Sequence, residues 1–219
     1  LQIMMSKAKL KIGYPYRSIR RLFYDIATLR SDLVLESHSI QHMINLLGAQ
    51  DTKLEYGYEN KYPKNIKKQI IYFPGAAVQV KCWEDKKFIQ LIDSLSKKYP
   101  QYEHVILQGI KEDEKFENIY QPFVKKQNVL LQPKMECDNV MQFISNASCL
   151  ISNDTGIRNI AIALETPTVG IFFATAAFRY WPRDEKHEAV FNVEYTSPDV
   201  NDVYQKTTQI MNRLYGASR

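Results

Sequence analysis

From Gln69 onward the chain repeats one pattern: a short apolar run, stopped by Gly, Pro or an acid, and then a longer stretch with helical spacing. "QIIYFPG" leads into "WEDKKFIQLIDSLSKKYP", where Phe88, Leu91, Ile92 and Leu95 fall on one helical face before a Pro stop. "HVILQG" precedes the polar, helix-compatible "EDEKFENIYQPFVKK", read as helix as far as Pro122. "NVLLQP" precedes "ECDNVMQFISNAS", and "CLISND" precedes "GIRNIAIALE". "TPTVGIFF" is a fifth apolar run, and "SPDVNDVYQKTTQIMNRLYG" closes the chain as an amphipathic helix with Ser197 as its expected N-cap. Apolar runs without polar alternation are strands covered on both faces, so the pattern predicts an α/β fold with a doubly wound parallel sheet. Ligands of such sheets bind outside the carboxyl ends of the strands. Gly75, Gly109 and the triplet Asp154-Thr155-Gly156 fall at those ends.

Residues 1–61 do not share the pattern. "LKIGYPYRSIRRLFYDIATLR" is rich in Tyr and Arg, and "ESHSIQHMINLLGAQ" reads as a helix ending at Gly48. "DTKLEYGYENKYPKN" is polar and turn-rich, a linker. We therefore expect a domain boundary near Tyr62, which separates residues 1–61, with their linker, from a domain over 62–219. The chain contains no internal repeat.

Several functional classes lose support. No apolar run is long enough to span a bilayer, and the start "LQIMMSKAKLKIGY" lacks the apolar core and cleavage site of a signal peptide. Cys82, Cys137 and Cys149 are scattered without a CxxC spacing, which suits a reducing compartment rather than a disulfide frame or zinc site. His38 and His42 are four apart but have no HExxH context, His104 opens a strand, and His187 is placed in a polar loop. The net charge of +5, densest between Tyr62 and Lys68, fits either a solvated surface or a polyanionic partner. No nucleic-acid-binding module is recognisable.

The loops carry the chemistry. At Asp154-Thr155-Gly156 the first amides of the following helix lack internal partners, and the positive end of the helix dipole stands behind them. Such a turn suits a phosphate, with Gly156 admitting close approach and Thr155 adding a hydroxyl. Asp154 either accepts hydrogen bonds from sugar hydroxyls beside the phosphate or caps the helix. In "FPGAAVQVKCW", Pro74-Gly75 makes the turn, and Lys81 is either a phosphate-neutralising charge or an ordinary surface residue. GxxxxGK[ST] and GxGxxG are absent, so neither a Walker A loop nor a dinucleotide oxidoreductase is supported. Glu112, Asp113 and Glu114 begin a helix, where carboxylates match the dipole, and one of them can instead reach sugar hydroxyls.

In combination these segments resemble glycosyltransferase family 9, the lipopolysaccharide heptosyltransferases. The family carries a strand, His-Pro-Gly-Ala-Ser and then Lys-Arg-Trp, where this chain has "YFPGAAVQVKCW". It carries Ser-Asn-Asp-Thr-Gly, a His three residues on, an Ala-rich helix and Pro-Thr-Val, where this chain has "ISNDTGIRNIAIALETPTV". Its Leu-Phe-Gly-Pro-Thr and Trp-Gly-Pro-like stretch correspond to "IFFATAAFRYWP", and "RRLFYDIATLRSDLVLESHSIQHMINLLG" is similar to its segment before the interdomain linker. The resemblance implies a GT-B architecture of two Rossmann-like domains, the first incomplete here. It implies inverting transfer of a sugar, heptose, from ADP-heptose or another nucleotide-diphosphate sugar to a lipopolysaccharide-core acceptor. It implies no cofactor or tightly held metal, no nucleic-acid partner, and a cytoplasmic location with peripheral contact at the bacterial inner membrane. Donor-binding roles are carried to Lys81 and Gly75, to Asp154, Thr155, Gly156 and Asn159, and to Glu112 or Asp113. The family's His is Asn159 here, and its Phe-Gly-Pro-Thr becomes Phe172-Phe173-Ala174-Thr175. The family's catalytic Asp is expected upstream of Leu1, which leaves a non-catalytic nucleotide-sugar-binding module as the alternative.

Overall fold

The computed structural model describes residues 5–13, 18–27, 58 and 61–216. The helix expected to end at Gly48, with His38 and His42, lies outside the described residues. The chain divides into two compact units, Leu1–Glu55 with Phe178–Tyr180, and Tyr56–Ala177 with Trp181–Arg219. In the first unit, β1 (Ile12–Gly13) pairs in parallel with β2 (Ile26–Ala27), with a 3-10 turn at Ser18–Phe23 between them. The Asp25 carboxylate accepts from the Lys11 amide at 2.7 Å beside this pair.

The second unit is a six-stranded sheet of β3 (Gln69–Phe73), β4 (Glu103–Leu107), β5 (Val129–Gln132), β6 (Cys149–Asn153), β7 (Thr168–Phe172) and β8 (His187–Phe191). Their order is β5-β4-β3-β6-β7-β8, and every pair is parallel. The chain winds outward from β3 to β5, returns to lay β6 on the other side of β3, and winds outward again. This is the Rossmann order, with its topological switch point between β3 and β6. β3, β6 and β7, apolar along most of their length, are buried from end to end. That is the reason their sequences show no alternation.

Helices fill both faces. α1 (Asp85–Lys98) packs beside α2 (Glu117–Tyr120) and α5 (Val200–Tyr215), while α3 (Cys137–Ser145) packs beside α4 (Gly156–Ala163). Phe88, Leu91, Ile92 and Leu95 of α1 are buried, the face their spacing predicts.

Three local expectations are corrected. The segment after β4 is not one helix: 3-10 turns at Glu112–Glu114 and Gln121–Phe123 flank the single turn of α2, and Phe116 sits at φ 53, a left-handed conformation that interrupts any continuous helix. The N-cap of α5 is Asp199, not Ser197, whose hydroxyl instead accepts from Lys87 Nζ at 2.9 Å. His187 is not in a polar loop: it is buried and begins β8. "KHEAVF" hides this sixth strand because its first half is polar, and a sheet edge demands less apolar surface than the centre.

Candidate functional site

β3 and β6 are neighbours at the switch point, the place where sheets of this order take a ligand in the crevice between the diverging loops. Asn153, the last residue of β6, builds one wall of it. Its Oδ1 accepts from the Trp83 amide at 3.1 Å, and its Nδ2 donates to the Pro74 carbonyl. One buried amide thus ties both ends of the 74–83 loop. Trp83 anchors the far end: it is 1% exposed, its indole donates to the Pro198 carbonyl at 2.9 Å, and its ring meets Phe88 edge-on. Pinned in this way, the loop runs through a 3-10 turn, Gln79–Lys81, and delivers Lys81 to the crevice.

Lys81 Nζ lies 2.6 Å from Asp154 Oδ2. The two side chains are 25% and 9% exposed, so the pair sits at the mouth, screened from bulk water on one side only. Thr175, three residues beyond β7, donates its hydroxyl to the same Oδ2 at 2.7 Å. Asp154 is therefore not the helix cap. The N-cap of α4 is Thr155, in extended backbone and without a side-chain cap hydrogen bond. A Cβ added at Gly156 would meet nothing within 4 Å, so the first turn of α4 faces open space. Uncapped amides over open space, beside a lysine, form a site for an anion.

Behind this wall lies Arg158, fully buried on α4 with its guanidinium 4.8 Å from the centre of the Phe172 ring. Burial lowers its pKa to about 10, opposed by the charge of Asp154. Gly170 on β7 makes the room, because a Cβ there would overlap Arg158 Nε. Asn159, one residue on, is exposed at the surface of α4.

The acids after β4 separate sharply. Glu112 points into solvent and pairs with Lys115, which holds its carboxyl below the usual range, and Asp113 is exposed. Glu114 is the inward one, with a side chain 12% exposed. Its carboxylate lies against both glycine turns: a Cβ at Gly109 would overlap it, and one at Gly75 would stand 3.0 Å from Oε1. The structure thus brings together Gly75, Lys81, Asp154, Thr155 and Gly156 at the switch point and places Glu114 at the neighbouring turn. It does not bring Glu112 or Asp113 there. Sequence reasoning named Glu114 among three acids without singling it out, and it missed Thr175 and Asn153 as site residues. The rule that ligands sit beyond strand ends could have flagged Thr175, because it lies in the loop that leaves the carboxyl end of β7. Among the described residues no group of three His, Cys, Asp or Glu side chains is placed to hold a metal ion, and no helix is long and apolar enough to cross a membrane.

Comparison with known proteins bears on this arrangement. The model of glycosyltransferase family 9 (heptosyltransferase) matches residues 3–208. Lipopolysaccharide heptosyltransferase 1 of Campylobacter coli is 26% identical over 115 residues, which are 52% of this chain and 34% of that protein. Escherichia coli heptosyltransferase WaaC, solved with ADP, superposes with a TM-score of 0.73 at 16% identity, covering 92% of this chain and 66% of that one. A family 9 glycosyl transferase from Veillonella parvula superposes with a TM-score of 0.68 at 16% identity, covering 96% and 69%. The matched region is thus about a third of the curated relative and about two thirds of WaaC.

Proposed function

Since this chain belongs to glycosyltransferase family 9, we propose that it binds a nucleoside-diphosphate sugar at the β3/β6 switch point and takes part in transferring that sugar, a heptose, to a lipopolysaccharide-core acceptor with inversion. The observation that carries the reading is the Lys81–Asp154 pair at 2.6 Å beside the uncapped start of α4. A cation and a set of free amides suit the diphosphate. A carboxylate within reach of them suits the sugar hydroxyls, since it would repel the phosphates themselves. ADP bound to WaaC supports a nucleoside diphosphate as the anchoring part of the donor.

In inverting transfer an acceptor oxygen forms a bond to the anomeric carbon as the bond from that carbon to the phosphate oxygen breaks. The acceptor's proton passes to a base, for which no residue of this chain is assigned. Negative charge grows on the departing diphosphate. Lys81 and the amides of Gly156 and its neighbours are fixed donors for that charge, the role a metal fills in other enzymes. Glu114, between the two glycine turns, takes the place given to Glu112 or Asp113 from sequence as the acid that accepts from ribose hydroxyls. A cytoplasmic location against the inner membrane follows from this donor and acceptor.

The test is calorimetric titration with ADP, ADP-heptose and adenosine. Lys81→Ala should weaken the two diphosphates by about 1–3 kcal/mol, the range of a charge-assisted hydrogen bond, with adenosine nearly unaffected. Equal losses for all three would place Lys81 in folding rather than phosphate binding.

A further inference from the structure

Asp154 receives two donors on one oxygen. Lys81 Nζ and the Thr175 hydroxyl lie 2.6 and 2.7 Å from Oδ2. No hydrogen bond from the described residues reaches Oδ1. The two donors differ in kind. Lys81 carries a full charge on a flexible stem, so an arriving diphosphate, with a larger negative charge than one carboxylate, draws it away. The Thr175 hydroxyl carries no net charge and sits on a β-branched side chain with restricted rotation, so phosphate exerts little pull on it.

We propose that Thr175 is a positioning residue of the donor site: its hydroxyl holds the Asp154 carboxylate in place when Lys81 transfers to the diphosphate, keeping Oδ1 aimed at the sugar. This role rests on the switch-point reading above. It gives Asp154 two states, tied to both donors in the empty site and to Thr175 alone in the loaded one. It also separates the two halves of donor recognition. Losing Thr175 leaves the amides of α4 and Lys81 intact, so the diphosphate binds as before. The carboxylate, however, is then free to follow Lys81 or to turn toward solvent, and the contacts to the sugar are lost.

The experiment compares Thr175→Val, which removes only the hydroxyl from a side chain of the same shape, with Thr175→Ser, which keeps it. Each variant is titrated with ADP and with ADP-heptose after its thermal melt has been matched to that of the parent chain. For the Val variant, ADP-heptose affinity should fall about tenfold, the scale of one hydrogen bond to a charged group, with ADP affinity held within about twofold. The Ser variant should recover most of the loss. Equal weakening of both ligands, no weakening of either, or a Ser variant that behaves like Val would overturn the role, the last by assigning the effect to methyl packing. Failure of the parent chain to bind either ligand is a separate result: it overturns the switch-point reading itself, and this role with it.

Discussion

At the scale of single residues, Asp154 concentrates the chemistry of this fold. Its Oδ2 serves Lys81 and Thr175, and the cap position belongs to Thr155. The consequence is specific. Asp154→Asn removes a negative charge beside the phosphate site and releases Lys81. ADP should then bind as well as before or up to about tenfold more tightly, the gain of one freed charge-assisted contact. ADP-heptose should bind more weakly, because an amide nitrogen replaces one acceptor oxygen. Unchanged affinity for both ligands would remove Asp154 from the site. Sequence showed Lys81 and Asp154 as separate candidates, each with an ordinary explanation. Their pairing was not legible, because 73 residues separate them and only the strand order brings their loops together. Asn153 was hidden for a related reason: its two hydrogen bonds define the Lys81 loop, but an Asn at a strand end reads equally well as a turn residue.

At the scale of elements, the site is four loops at the carboxyl end of one sheet, and the fit between two of them can be tested without any ligand. The turn after β4 places Gly109 against the inward Glu114, whose backbone carbonyl also accepts from the Gly109 amide at 2.9 Å. Gly109→Ala forces a methyl into the Glu114 side chain, whose Cβ as well as its carboxylate stands in the way. We expect a loss of about 1–3 kcal/mol in chemical denaturation, the cost of overpacking. Adding Glu114→Gly, which removes the Cβ together with the carboxylate, should recover most of it, a non-additivity that identifies the clash as the cause. If the double variant is as unstable as the sum of the two single ones, the turn fails for a backbone reason instead. The sequence located this turn and its cluster of acids but not which acid turns inward. The left-handed Phe116 and the broken helical segment around it set that register, and neither has a signature in residue type. The runs of β3, β4, β6 and β7 were legible as strands because they lie inside the sheet, and the edge strand β5 showed through its apolar Val-Leu-Leu, whereas the other edge strand, β8, was masked by its polar first half.

At the scale of the whole second unit, two buried histidines tie its stability to pH. His104 in β4 has its Nε2 3.1 Å from the Tyr99 carbonyl and its Nδ1 2.8 Å from the Tyr72 hydroxyl. A carbonyl can only accept, so Nε2 carries the proton and Nδ1 accepts from Tyr72, the neutral form. His187 at the start of β8 has Nδ1 3.0 Å from the Thr168 hydroxyl. Burial lowers the pKa of each ring from 6.5 to about 4; around His187 the positive charges of Arg158 and Lys186 act in the same direction, and Asp184 and Glu165 act against it. Between about pH 6.5 and pH 4 the unfolded chain takes up protons that the folded chain refuses, so stability falls as pH falls through that window and is level above it with respect to these groups. A shift of this size corresponds to about 3 kcal/mol for a single site, against a total stability of about 5–15 kcal/mol for a domain. Urea denaturation should therefore show a decline from pH 7 to pH 4.5 much steeper than that of a His104→Gln variant, in which the amide can donate to Tyr99 and accept from Tyr72 without titrating. His187→Gln should flatten the remainder. Because both rings lie at the amino-terminal ends of their strands, and Asp154 and Lys81 lie at the carboxyl end of the sheet, these variants should leave ADP affinity at pH 7.5 unchanged. Parallel pH profiles for the parent chain and both variants would show instead that carboxylate ion pairs, not the buried imidazoles, govern its acid sensitivity.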